Sequence, residues 1–206
     1  MSTAPLPKRK RVTPVEYLAI ERAAEFKSEL IDGEMVAMAG GTRRHSRIAV
    51  NLVSQLDEHF RGSPREVFNS DMRVKVSSSG LYTYPDVSVA CAPIEFEDAN
   101  EDTLLNPRIL IEVLSKSTEN RDRGWKFEHY FDLPSVMDYV LVSQDRPFVE
   151  HFVRRADGRR MFEFVKGIEE TLQLAAVDCS LALKDIYRGV QFGPEQQDEQ
   201  SPAESD

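Results

Sequence analysis

Two carboxylates stand where hydrophobic side chains belong. In Ile109-Leu110-Ile111-Glu112-Val113-Leu114-Ser115 one acid interrupts an apolar, β-branched run of the kind that forms buried strands. In Tyr84-Pro85-Asp86-Val87-Ser88-Val89-Ala90-Cys91 the two-residue period sets Val87, Val89 and Cys91 on one face and Asp86, Ser88 and Ala90 on the other. Burying an unpartnered carboxylate is costly, so each acid needs a cation, a metal or strong hydrogen bonds beside it. Paired strands lie roughly 4.8 Å apart, close enough for Asp86 and Glu112 to converge on one divalent cation. Oxygen ligands favour Mg2+ or Mn2+ over zinc. Two acids and a backbone carbonyl leave coordination positions open for water and a phosphate oxygen, as phosphodiester hydrolysis requires.

A lysine near such a pair would stabilise the charge developing at phosphorus. Lys126 lies in a helix after the Glu112 run, with Asp122 and Tyr130 four residues to either side; Lys116 lies four residues past Glu112. The alternative readings are an exposed Asp122–Lys126 ion pair and a solvated loop cation. A catalytic Lys126 must point over the carboxylates, and its loss should lower turnover with little loss of fold.

The elements that must position these residues are legible in order. Thr13-Pro14-Val15-Glu16 opens a helix to about residue 25 with a capping box, and Tyr17, Leu18 and Ala24 are expected on its inward stripe. Asp32-Gly33 joins two short strands as a hairpin. From about 44 to 61, Ile48, Leu52, Leu56 and Phe60 recur at helical spacing and mark the main core helix. Residues 67–76, 84–91 and 109–114 read as strands, 119–132 as a helix, and three strands follow around 139–142, 149–153 and 161–165, the last two joined at Asp157-Gly158. A short helix near 182–187 ends the fold.

The chain has 206 residues, enough for one domain with its own core. Cys91 and Cys179 have no ligand-like spacing, which excludes a disulfide framework or zinc cluster built on cysteine; Cys91 is expected as a small apolar filler. No apolar stretch approaches the ~18 residues of a membrane span, and the reading is a cytoplasmic protein. Of the net charge of −9, residues 1–12 carry +4 and residues 193–206 carry −5, leaving −8 on residues 13–192. An acidic body argues against broad non-specific nucleic-acid binding but not against a local basic groove. The expected organisation is a basic disordered arm over 1–12, a domain over 13–192 and an acidic disordered tail over 193–206. The arginines 154, 155, 159 and 160 read as a solvated strand edge.

Glu29-Leu30-Ile31-Asp32-Gly33-Glu34, His45, Pro85-Asp86-Val87, Glu112-Val113-Leu114-Ser115, Ser117-Thr118, Asp122, Lys126, Tyr130 and Tyr139-Val140-Leu141-Val142 fall in one order over about 13–190. Together they resemble the Uma-two family of restriction endonucleases, within the PD-(D/E)xK nuclease superfamily. The resemblance implies an α/β (α+β) restriction-endonuclease-like mixed sheet flanked by helices, with Asp86 and Glu112 as metal-binding acids. It also implies a Mg-dependent (or Mn-dependent) endonuclease acting on DNA, and a homodimer. Superfamily members commonly have lysine two residues after the glutamate, where this chain has Leu114; Lys126, in the following helix, takes that role. Lys116 stands where the family usually has proline and is a possible second cation. Glu29 matches a position near the site and is either a third acid or a hairpin residue that faces solvent or pairs with Lys27 or Arg47. His45 reads as a helix-start histidine rather than a base. The rival functions are a non-catalytic nucleic-acid-binding or regulatory module on the same fold, and a purely structural interaction domain.

Overall fold

The computed structural model describes residues 11–76 and 80–193. The expected disordered segments fall outside them, apart from residues 11, 12 and 193. Val12 belongs to the fold: its N–H donates to the Gly33 carbonyl and its side chain packs against the Tyr17 cluster.

Helix α1 (Pro14–Ala23) starts as its sequence dictates, with Thr13 and Glu16 closing a capping box around Pro14. Its inward stripe differs from expectation. Tyr17 and Leu18 are buried, but the third buried residue is Glu21, while Ala24 is the exposed C-cap. Glu21 is satisfied there by the Ser28 N–H and hydroxyl and the Tyr84 hydroxyl. Strands β1 (Ser28–Ile31) and β2 (Glu34–Ala37) pair across Asp32 and Gly33, both at positive φ, as a tight hairpin turn requires. Helix α2 (Arg43–Phe60) buries Ile48, Leu52, Leu56 and Phe60 along one stripe, with Thr42 as its N-cap.

The run expected as one strand over 67–76 is two, β3 (Arg65–Asn69) and β4 (Arg73–Val76), which belong to different sheets. Between them Asn69 accepts the Asp71 N–H, and Lys27 donates to the Ser70 carbonyl, fixing a turn that β-propensity alone hides. The next run, expected over 84–91, begins only at 87, and a separate strand of the other sheet precedes it. β5 (Leu81–Thr83) ends before Tyr84-Pro85-Asp86, and β6 (Val87–Cys91) begins after it, so Asp86 sits in the bend leading into a strand rather than within one. The short β7 (Thr103–Leu104) precedes β8 (Pro107–Leu114).

The expected helix over 119–132 has three parts: α3 (Glu119–Arg121), a π-helical turn (Asp122–Lys126) and α4 (Phe127–Tyr130). Strands β9 (Asp138–Ser143), β10 (Phe148–Arg154) and β11 (Arg160–Lys166) follow. Then comes a hairpin the sequence reading did not foresee, β12 (Thr171–Leu174) and β13 (Cys179–Ala182), before α5 (Leu183–Ile186). Its signal was the alternation of Leu172 and Leu174 with polar residues.

The main sheet runs β11-β10-β9-β8-β6-β3, with only β8 and β9 parallel. β8 sits inside it, which explains the apolar run around Glu112. Ile109, Ile111 and Val113 face α2, α5 and the β12–β13 hairpin together with Val87 and Val89. Leu110 and Leu114 face the opposite core with Ala90, Tyr130 and Tyr139. Glu112 shares that second face. The second sheet, ordered β2-β1-β5-β4-β7, contributes Val74, Val76, Leu81 and Leu104 to the same core. Cys91 packs against the first core as the small filler expected. The arginines 154 and 160 do more than line a solvated edge. Arg154 donates to the carbonyls of Phe131, Leu133 and Val136, and Arg160 lies over the Phe127 and Phe131 rings, tying the late hairpin to the end of α4.

Candidate active site

Strand pairing brings the two acids to one place. β6 and β8 are antiparallel with Val87 opposite Ile111; the register carried one residue further sets Asp86 beside Glu112, on the face shared by Ser88, Ala90 and Leu110. One oxygen of each acid is committed. Asp86 Oδ2 accepts the Val113 N–H at 2.7 Å and lies 3.2 Å from His45 Nε2. Glu112 Oε1 accepts from Lys126 Nζ and from the Tyr130 hydroxyl, each at 2.8 Å. Asp86 Oδ1 and Glu112 Oε2 have no hydrogen bond among the described residues. Both acids line a cleft of about 640 Å³ walled by residues 37–42 and 115–118.

Lys126 points inward, with a side chain only 4% exposed. Besides Glu112 it meets Glu29 Oε1 and Asp122 Oδ1, each at 3.4 Å. The exposed ion pair with Asp122 is therefore not what forms, since Asp122 is buried too. The π-helical turn explains how one helix turns both inward: its wider i→i+5 spacing brings residues four apart closer to one line than α geometry does. Lys116 is exposed at the cleft wall and forms no ion pair among the described residues.

Glu29 is buried at the site, bonded to Arg121 at 2.8 Å and to the Thr83 hydroxyl at 2.5 Å. It neither faces solvent nor pairs with Lys27 or Arg47. Thr83 and Arg121 are the participants that sequence reasoning missed. Neither interrupts a pattern, and only their placement on β5 and at the end of α3 gives them a role. His45 sits in the first turn of α2 with Gly41 backed against it; a Cβ on Gly41 would lie 2.9 Å from His45 Nδ1.

The electrostatics show a cluster short of positive charge. Burial pushes the Glu112 carboxyl up to about 8, with the Asp122 and Asp86 carboxylates adding to the shift against the pull of Lys126. Burial opposes the charge on Lys126, but Glu112, Glu29 and Asp122 outweigh it and hold the ammonium above its ordinary value. Glu29 goes the other way, its burial outweighed by Lys126, Thr83 and Arg121. The His45 imidazole is raised by its hydrogen bond to Asp86. Asp122 Oδ1 is buried with no hydrogen bond.

This donor set fits a divalent cation. Two carboxylates each keep an uncommitted oxygen, and burial, with the neighbouring acids adding to it, leaves the Glu112 carboxyl raised. Among the described residues no three His, Cys, Asp or Glu side chains cluster closely enough to hold a metal unaided. A bound cation would therefore draw on water and phosphate as well, which is the habit of magnesium.

The Tyr130 hydroxyl is the buried donor that fixes Glu112. Tyr130→Phe is expected to cost about 1–3 kcal/mol in urea unfolding with chelator present, because it leaves buried acceptors short of a partner. Unchanged stability would show that the hydroxyl does not hold the acid.

With that geometry in place, comparison with known proteins identifies the family. The family model described as "Uma2: Putative restriction endonuclease" matches residues 14–184. The chain belongs to that family. Two uncharacterized proteins of Synechocystis sp. are similar to it. One is 36% identical over 190 residues, covering 92% of this chain and 97% of that protein; the other is 36% identical over 158 residues, covering 77% and 89%. The crystal structure of "a putative nuclease belonging to DUF820 from Anabaena variabilis" shares the fold, with a TM-score of 0.71 at 20% identity over 85% of this chain and 97% of that one. The restriction-endonuclease-like mixed sheet flanked by helices is thus the fold of this Uma2 chain. No helix among its described residues is long and apolar enough to cross a membrane.

Proposed function

We propose that this Uma2 protein is a cytoplasmic, metal-dependent endonuclease that hydrolyses phosphodiester bonds in DNA, with Mg2+ or Mn2+ held by Asp86 and Glu112. The observation that carries the reading is a buried lysine bonded to a strand carboxylate, with a second acid in register beside it and one oxygen of each acid uncommitted. When bound, the cation lowers the pKa of an attacking water and neutralises charge on the phosphate oxygens. The chain's own groups do the rest. Tyr130 and the Val113 N–H fix the two carboxylates, and Lys126 itself, the Thr83 hydroxyl and Arg121 keep Glu29 ionised. The Lys126 ammonium has one short contact and two longer ones, so N–H donors can turn towards a phosphate oxygen as negative charge grows on it. Water attacks phosphorus and gives up a proton, the P–O ester bond breaks, and the leaving oxygen takes up a proton, so that one water is consumed and the products are a phosphate monoester and an alcohol.

The test is incubation of plasmid and single-stranded DNA with Mg2+, Mn2+ or chelator. Cleavage with metal and none with chelator is expected. DNA binding without cleavage in either metal would replace the enzyme with a non-catalytic module of the same fold.

The same reading includes a homodimer. β11 ends the main sheet with an open edge, and Phe162 and Phe164 on it are 53% and 61% exposed. Sedimentation at micromolar concentration should give twice the chain mass, and a single species of 23.4 kDa would refute the dimer.

A further inference from the structure

Next to the cleft lies a second hollow, of about 240 Å³, lined by Thr42, Arg43, Arg44 and Arg47 on one side and residues 189–191 on the other. Thr42 and Arg44 also line the cleft, so the two spaces adjoin. Three arginines within five residues are out of keeping with an acidic body. They also sit in the first turns of α2, which contain no acid and where the helix dipole disfavours cations, so helix stability does not explain them. Arg43 and Arg47 are exposed and have no ion pair among the described residues; Arg44 has only Asp145, at 3.1 Å on the surface.

We infer that this arginine-lined hollow binds the sugar-phosphate backbone of duplex DNA next to the scissile bond, with Arg43 and Arg47 each contacting a phosphate. The inference rests on the nuclease reading and extends it, because it gives the duplex a direction of exit from the cleft, over the start of α2. It also reconciles DNA binding with a net charge of −9: cations are placed where phosphates pass, on a chain that is acidic as a whole.

The test compares the wild type, an Arg43→Ala/Arg47→Ala double variant and Arg61→Ala, an exposed cation at the far end of α2, by fluorescence anisotropy with a labelled duplex in chelator across a salt series. Each phosphate contact contributes about 0.9 to the slope of log K against log salt, so the double variant should lose about 2 from the slope and bind about tenfold or more weakly at 0.1 M salt. Arg61→Ala should match the wild type. With metal, hydrolysis of bis(p-nitrophenyl) phosphate, which is too small to span both spaces, should be the same in all three proteins, while plasmid cleavage by the double variant needs more DNA. Wild-type affinity and slope in the double variant overturn the inference and leave the nuclease reading intact. A slope that depends on the arginines in a protein that never cleaves upholds the inference and removes the nuclease. A wild type that neither binds nor cleaves removes both.

Discussion

Lys126→Ala is expected to lose about 10²–10³ in turnover on plasmid DNA at saturating Mg2+, while Lys116→Ala keeps most of its activity. The difference lies in where the two cations sit. Lys126 Nζ is 2.8 Å from Glu112, the acid assigned to the metal, whereas Lys116 is exposed on the cleft wall without an ion pair among the described residues. The structure also corrects the expectation that losing Lys126 would hardly affect the fold. Its ammonium is the shared countercharge of Glu112, Glu29 and Asp122, and removing one partner of a buried pair typically costs about 3–5 kcal/mol. Protonation limits the loss, because Glu112 is already raised and can become neutral. Turnover must therefore be measured at a temperature where circular dichroism shows the variant folded, and per folded molecule. A folded Lys126→Ala protein with wild-type turnover would remove lysine from the mechanism, and a larger loss in Lys116→Ala would move the role there.

The fold was legible wherever one face of an element is buried against one core. The α2 stripe of Ile48, Leu52, Leu56 and Phe60 and the split of β8 into two apolar faces follow directly from period and polarity. β-propensity makes 67–76 and 84–91 look like continuous strands, because it registers neither a turn nor a change of sheet. What divides them is turn chemistry at Asn69-Ser70-Asp71 and at Tyr84-Pro85-Asp86, the second of which also puts Asp86 at the mouth of its strand. Asp86 and Glu112 stand out because each breaks an apolar pattern, whereas Glu29 is marked only by the family resemblance. Thr83 and Arg121 break none, and periodicity makes Asp122 look like a surface partner because it assumes α spacing, which the π-helical turn does not keep. Local pattern thus predicts which residues are out of place. Which neighbours satisfy them depends on register and on helix irregularity, and both are settled by tertiary packing.

Glu112→Gln separates a metal site from a merely structural ion-pair cluster, because the two readings give opposite signs of stability change. Glutamine keeps the shape and can still accept from Lys126 and Tyr130, but it removes the charge that burial disfavours. In chelator the variant should therefore unfold at the same temperature as the wild type or higher, because burial already pushes the Glu112 carboxyl towards its neutral form and Glu29 and Asp122 still face the Lys126 ammonium. Were Glu112 there to anchor Lys126, its neutralisation would strand the ammonium, and the variant would unfold at a lower temperature. Adding Mg2+ extends the contrast. A cation that binds the folded state at 100 times its dissociation constant stabilises it by about 2.7 kcal/mol, so the wild type should show a rise in melting temperature that Glu112→Gln lacks and Asp86→Asn shows at most weakly. Both variants should fall to background in DNA cleavage. A Glu112→Gln protein that melts lower than the wild type in chelator and responds to Mg2+ as the wild type does would mean that the carboxylate serves the fold, and that the cation, if there is one, binds elsewhere.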